Sequence, residues 1–92
     1  EMIEFDNTIK TVFDFIDKDD NTLVVITADH ETGGAAITGG NLLKSKVKNN
    51  YVSGDHTATM VPVFSSGYEA QNFKGVYDNT EIFDKLRTII EK

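Results

Sequence analysis

Apolar side chains recur at Met2, Phe5, Ile9, Val12, Phe13 and Ile16, in steps of three, four, three, one and three. That spacing lays them along one stripe of an α-helix, with Asp6, Lys10, Asp14 and Asp17 on the other side. The pattern predicts a helix over residues 2–16, stopped by the polar turn-forming run Asp17-Lys18-Asp19-Asp20-Asn21. Leu23-Val24-Val25-Ile26-Thr27 follows, mostly β-branched and without polar alternation. Such a run predicts a strand covered on both faces, as inside a parallel sheet. A helix feeding a buried strand is half of an α/β unit, and the chain is too short to supply the rest.

Beyond that strand the pattern breaks. Residues 32–58 hold five of the seven glycines, with Gly33-Gly34, Gly39-Gly40, Asn49-Asn50 and Ser53-Gly54-Asp55 punctuating the backbone. The segment reads as loop-rich with a short ribbon, along which Lys44, Lys46 and Lys48 alternate toward one side. Met60–Phe64 predicts another strand, at an edge or a bulge because Pro62 lacks a ladder donor. Asp78-Asn79-Thr80-Glu81 predicts a helix start, and Ile82, Phe83, Leu86, Ile89 and Ile90 give that helix its apolar stripe. No internal repeat or Pro-rich linker interrupts the chain.

Composition narrows the function classes. Nine basic against fifteen acidic side chains leave a formal charge of −6, the wrong sign for a general nucleic-acid binder. No apolar run approaches the roughly 20 residues of a membrane helix. The absence of cysteine excludes disulfides and thiolate metal sites, and fits cytoplasm or periplasm equally. Ninety-two residues support one compact domain at most. A start at Glu1, with neither initiator Met nor signal peptide, reads as that of a processed or excised piece.

Candidate chemistry rests on the two histidines, each directly after an aspartate: Asp29-His30 and Asp55-His56. The first pair lies just past the carboxyl end of the predicted buried strand, where ligands collect in open α/β sheets. Carboxylate oxygen and imidazole nitrogen suit zinc at about 2.0–2.2 Å. From the residue types alone, Asp29 reads more readily as a loop cap, His30 as an exposed polar residue and His56 as a solvated loop histidine. Glu31 is either support for a metal ligand or a surface acid. The glycine pairs suit turns better than phosphates, and the lysines suit a solvated face better than an anionic substrate. No G-x-S-x-G elbow, Walker loop or G-x-G-x-x-G is present.

The string from Thr22 to Gly34, Thr-Leu-Val-Val-Ile-Thr-Ala-Asp-His-Glu-Thr-Gly-Gly, closely resembles the carboxy-terminal part of the alkaline phosphatases. Ser53-Gly-Asp-His56-Thr57, followed by Met60–Phe64 and Gly67, resembles the second histidine motif of that family, and Phe73–Ile82 its closing helix entry. The resemblance spans nearly the whole chain in family order. It implies an α/β fold, the carboxy-terminal portion of a three-layer architecture with a mostly parallel sheet, with residues 1–92 a single piece of one catalytic domain. It implies a periplasmic or extracellular enzyme hydrolysing phosphate monoesters through a phosphoryl-enzyme, with two zincs and a magnesium. By the resemblance Asp29 and His30 ligate the zinc that activates the nucleophile, and His56 ligates the zinc at the leaving oxygen.

The family's serine or threonine nucleophile, its first metal-bridging aspartate, its Asp-x-x-x-His pair, its phosphate-clamping arginine and its magnesium ligands find no counterpart here. Arg87, the only arginine, has no motif around it. The expectation is therefore a piece that is inactive alone, binds zinc weakly, and self-associates through faces that the missing sheet would cover. A homodimeric parent is left open. So are a phosphodiesterase or sulfatase of the same superfamily, and a non-catalytic α/β binding module.

Overall fold

In the computed structural model, which describes residues 1–92, the first apolar stripe forms α1, Met2–Ile16. Only Ile9, Val12 and Ile16 of that stripe are half-buried, while Met2, Phe5 and Phe13 stay exposed. The Lys10 ammonium meets the Asp14 carboxylate at 3.3 Å, one turn on. The Asp19 carboxylate then stops the chain in a local turn, accepting from the Asn21 amide at 3.0 Å and the Thr22 hydroxyl at 2.5 Å. These donors, the Thr22 hydroxyl foremost, hold the Asp19 carboxyl below the usual carboxylate range.

Strand β1, Leu23–Ile26, leaves that turn. The structure has five further strands: β2 Glu31–Thr32, β3 Ala36–Asn41, β4 Lys46–Asn50, β5 His56–Thr57 and β6 Phe64–Gly67. Helix α2, Glu81–Ile90, closes the chain. They make three two-stranded antiparallel ladders, β1 with β6, β2 with β5 and β3 with β4. No helix is long and apolar enough to cross a membrane.

Two compact units divide these elements. The first, Glu1–Ile26 with Val63–Lys92, carries α1, β1, β6 and α2. The parallel neighbours expected beside β1 are not in this chain. Its partner β6 runs antiparallel, pairing Leu23 with Gly67 through Ile26 with Phe64, and all four β1 residues are half-buried instead of enclosed. The strand expected at Met60–Phe64 begins only at Phe64, because Pro62 offers no N–H and Met60–Val63 stay unpaired. Phe73 is the one buried hydrophobic side chain, 3% exposed, on a short 3₁₀ turn over Ala70–Phe73. The Tyr77 hydroxyl donates to its carbonyl at 3.1 Å, and the Ser65 hydroxyl donates to Ala70 O at 2.8 Å.

Helix α2 starts as its sequence predicts. The Asp78 carboxylate accepts from the Thr80 amide and hydroxyl at 3.1 and 3.0 Å, and the Glu81 carboxylate accepts from the Asp78 amide at 3.3 Å. Ile82, Leu86 and Ile89 are half-buried, whereas Phe83 and Ile90 are exposed.

The second unit, Thr27–Pro62, carries β2 to β5. The glycine-rich stretch is the β3–β4 hairpin, turned by Leu42–Lys44, where Asn41 Oδ1 accepts from the Lys44 amide at 3.0 Å. Lys44 therefore sits in the turn, and only Lys46 and Lys48 alternate along β4, contrary to the three-lysine row expected.

Candidate metal centre

Asp29 and His30 lie just past β1 and immediately before β2, and His56 opens β5. The two Asp-His doublets share one local hydrogen bond. Asp29 Oδ1 accepts from the His30 amide at 3.1 Å, and Asp55 Oδ1 accepts from the His56 amide at 2.8 Å. Each aspartate is thereby folded over its own histidine, which overcomes the tendency of adjacent side chains to diverge.

Gly33 joins the two doublets. It is buried at φ +80°, its amide donates to Asp55 O at 2.9 Å, and its carbonyl accepts from the Val52 and Ser53 amides at 2.9 and 3.1 Å. A left-handed backbone there favours glycine. A Cβ at this position would stand 2.8 Å from Tyr51 Cδ1. Gly33→Ala is thus expected to cost about 1–3 kcal/mol of local stability, from the left-handed conformation and the ring contact. Amide exchange at Val52 and Ser53 measures it, and should accelerate about fivefold or more.

The ladder that this link closes pairs Glu31 with Thr57 and Thr32 with His56. It brings the two imidazoles face to face, ring centroids 3.4 Å apart and planes inclined by 21°. His30 Nδ1 lies 2.9 Å from the Glu31 carbonyl oxygen. A carbonyl can only accept, so Nδ1 carries a proton, and in the neutral ring that a metal needs the lone pair is on Nε2. Asp29 Oδ2 lies 3.5 Å from that Nε2. Two donors on one tetrahedral zinc stand about 3.4 Å apart, so this pair has the bite of a chelate. Asp55 Oδ1 and His56 Nε2, 4.0 Å apart, are wider than that.

The stacking decides how many ions such donors can serve. A metal lies in the plane of its imidazole, about 2 Å from the nitrogen. Planes 3.4 Å apart and inclined by 21° meet only about 9 Å from the rings, too far for one ion to be shared. In this arrangement each ring would serve an ion of its own, as a two-metal hydrolytic site requires. No group of three or more His, Asp or Glu side chains is placed to hold a single ion. The side chains are open to solvent, Asp29 at 87%, His30 at 36% and His56 at 58% exposed, leaving room for further ligands.

All three residues singled out in the sequence thus lie in this one unit, Asp29 beside His30 and the His30 ring stacked on that of His56. Glu31 proves to be more than a surface acid. Its carboxylate accepts from the Gly34 and Ala35 amides at 2.9 and 3.2 Å and from the Thr57 hydroxyl. These donors, the Thr57 hydroxyl foremost, hold the carboxyl below its ordinary range. Sequence reasoning missed Thr57 and Gly33. A signal for Thr57 was available, since Glu31 and Thr57 each directly follow a histidine.

Comparison with known proteins gives one consistent result. The family model "Alkaline phosphatase" matches residues 1–52, more than half of the chain. Alkaline phosphatase H of Pseudomonas aeruginosa strain UCBPP-PA14 is 28% identical over 95% of this chain, and the alkaline phosphatase of Escherichia coli strain K12 is 24% identical over 98%. The chain spans about a fifth of the length of those relatives, 22% of each. Among solved structures, alkaline phosphatase from the Antarctic bacterium TAB5 superposes with a TM-score of 0.82 at 37% identity, over 95% of this chain and 27% of its own. A mutant of the TAB5 enzyme with Mg bound in the M3 site matches at 36% identity and a TM-score of 0.82, covering 28% of that chain. The α/β fold and the order of motifs have the same origin: this chain belongs to the alkaline phosphatase family.

Proposed function

We propose that residues 1–92 form the carboxy-terminal segment of a periplasmic or extracellular enzyme that hydrolyses phosphate monoesters at a two-zinc centre. In this reading Asp29 and His30 hold the zinc beside the nucleophile, and His56 belongs to the zinc beside the leaving group. The nucleophile, the remaining zinc ligands and the magnesium ligands are supplied by other parts of the enzyme. The observation that carries the proposal is the stacked pair of imidazoles, with His30 Nδ1 on the Glu31 carbonyl and Nε2 3.5 Å from Asp29 Oδ2. When bound, paired zincs supply positive charge at the phosphoryl oxygens and favour the deprotonated form of an attacking oxygen.

The chain's own residues do the holding and aiming. The Glu31 carbonyl keeps the proton of His30 on Nδ1. The His30 amide orients Asp29 by its Oδ1, leaving Oδ2 as the free donor. The Asp55 carboxylate takes the His56 amide, and so fixes the backbone from which that ring projects.

The full-length protein, loaded with zinc and magnesium, tests the proposal against three substrates: p-nitrophenyl phosphate, bis(p-nitrophenyl) phosphate and p-nitrophenyl sulfate. The expected result is a kcat/KM for the monoester at least about 100-fold above the other two, and its loss on chelation. Preference for the diester or the sulfate would assign the site to another reaction. A metal-loaded protein inert toward all three would leave the non-catalytic binding module as the reading.

A further inference from the structure

Glu31 touches both histidine segments at once. Its main-chain oxygen accepts from His30 Nδ1 at 2.9 Å, while its side chain accepts from the Thr57 hydroxyl, on the residue that follows His56. The strands that carry the two groups are only two residues long each, Glu31–Thr32 and His56–Thr57. A ladder that short is too weak to fix the separation of two rings by main-chain bonds alone. Both Glu31 oxygens are engaged: one takes the Ala35 amide at 3.2 Å, the other the Gly34 amide at 2.9 Å together with Thr57. The carboxylate is therefore fixed to the β2 side before it reaches across to β5. The Thr57 hydroxyl has one proton, which goes to Glu31, and its oxygen lies 3.2 Å from Thr59 Oγ1 and 3.5 Å from the Thr59 amide.

We infer that the Glu31 carboxylate and the Thr57 hydroxyl are a positioning pair that sets the separation of the His30 and His56 rings, and with it the spacing of two cations. The inference rests on the two-zinc reading above. Neither group needs to touch a metal or a substrate. Their bond crosses from one histidine segment to the other, and with it broken the two-residue ladder is left to the Gly33 link and its own amides.

The test uses the full-length enzyme with Thr57→Val, Thr57→Ser, Glu31→Ala and the Glu31→Ala/Thr57→Val double variant. Zinc affinity is read by chelator competition, and the Co²⁺-substituted proteins are compared by visible absorption. Thr57→Val removes the hydroxyl at nearly constant shape and leaves the Gly34 and Ala35 bonds of Glu31 intact. Expected are about 10–100-fold weaker zinc binding and altered Co²⁺ bands for Thr57→Val and Glu31→Ala. Thr57→Ser should restore affinity to within about threefold, and the double variant should bind no more than about threefold worse than the poorer single.

A merely structural role would not produce rescue by serine together with a changed Co²⁺ spectrum. A Thr57→Val protein with wild-type affinity and spectrum would overturn the inference while leaving an active two-zinc wild type untouched. So would fully additive losses. A wild type that neither holds zinc nor hydrolyses p-nitrophenyl phosphate would overturn the two-zinc reading, and this inference with it.

Discussion

The 92-residue chain assayed alone is expected to hydrolyse p-nitrophenyl phosphate no faster than metal-containing buffer does, a deficit of about 10⁶-fold or more from the enzymatic range. The reason is chemical. In the proposed reading Asp29 and His30 would give two donors to one ion and His56 one to the next, and no three acidic or imidazole side chains converge. Zinc binding strength follows the number and preorganisation of its ligands, so both ions should be weakly held. The nucleophile motif is absent as well, and the covalent route that divides the reaction into two easier displacements is closed. Fold stability works against the isolated chain too. Phe73 is its only buried hydrophobic residue, while Ile3, Phe15, Phe64 and Phe83 among others remain exposed. Sedimentation should accordingly show association rising with concentration. A purified monomer holding stoichiometric zinc and turning over the ester would contradict both expectations.

Removing one imidazole at a time from the full-length protein is the second large effect. On the proposed assignment, His30→Ala and His56→Ala are each expected to lower kcat/KM for p-nitrophenyl phosphate by about 10³-fold or more, since each would delete a ligand to charge needed in the transition state. The metal content separates them from simple unfolding. Because the stacked rings cannot share an ion, each variant should lose about one zinc per chain and retain about one. Elemental analysis after exhaustive dialysis measures this. Loss of both ions from either variant would point to one shared ion or to collapse of the loop, and circular dichroism tells those apart.

What the sequence revealed, and what it concealed, follows from the range of the interactions involved. Helix α1 was predicted at Met2–Ile16 as it is found, because its apolar spacing and the terminating Asp19 turn are local. The α2 start at Asp78–Glu81 was legible for the same reason. The partner of β1 was not. A run such as Leu23–Thr27 states that it belongs in a sheet, but pairing with Phe64–Gly67 is set by a register some forty residues away along the chain. The strand expected at Met60–Phe64 lies further along, at Phe64–Gly67, because the Pro62 donor gap excludes the ladder altogether instead of only bulging it.

The site divides in the same way. Residue types and the repeated Asp-His doublet could be read directly, and His30 and His56 do stack. What draws them together could not be read. The bond from Thr57 to Glu31 crosses 26 positions, and the amide bonds of Gly33 depend on a left-handed φ that the letters Gly33-Gly34 permit without specifying. The tautomer of His30, fixed by the carbonyl of its own neighbour, likewise emerges only from coordinates.

Crystals of the full-length protein grown with zinc, recorded above and below the zinc absorption edge, locate every bound zinc without assumption about its ligands. Two anomalous peaks are predicted, about 4 Å apart, one at Asp29 and the Nε2 of His30 and the other at His56. A single peak bonded to both imidazoles, or zinc bound elsewhere with these three side chains free, would contradict the assignment.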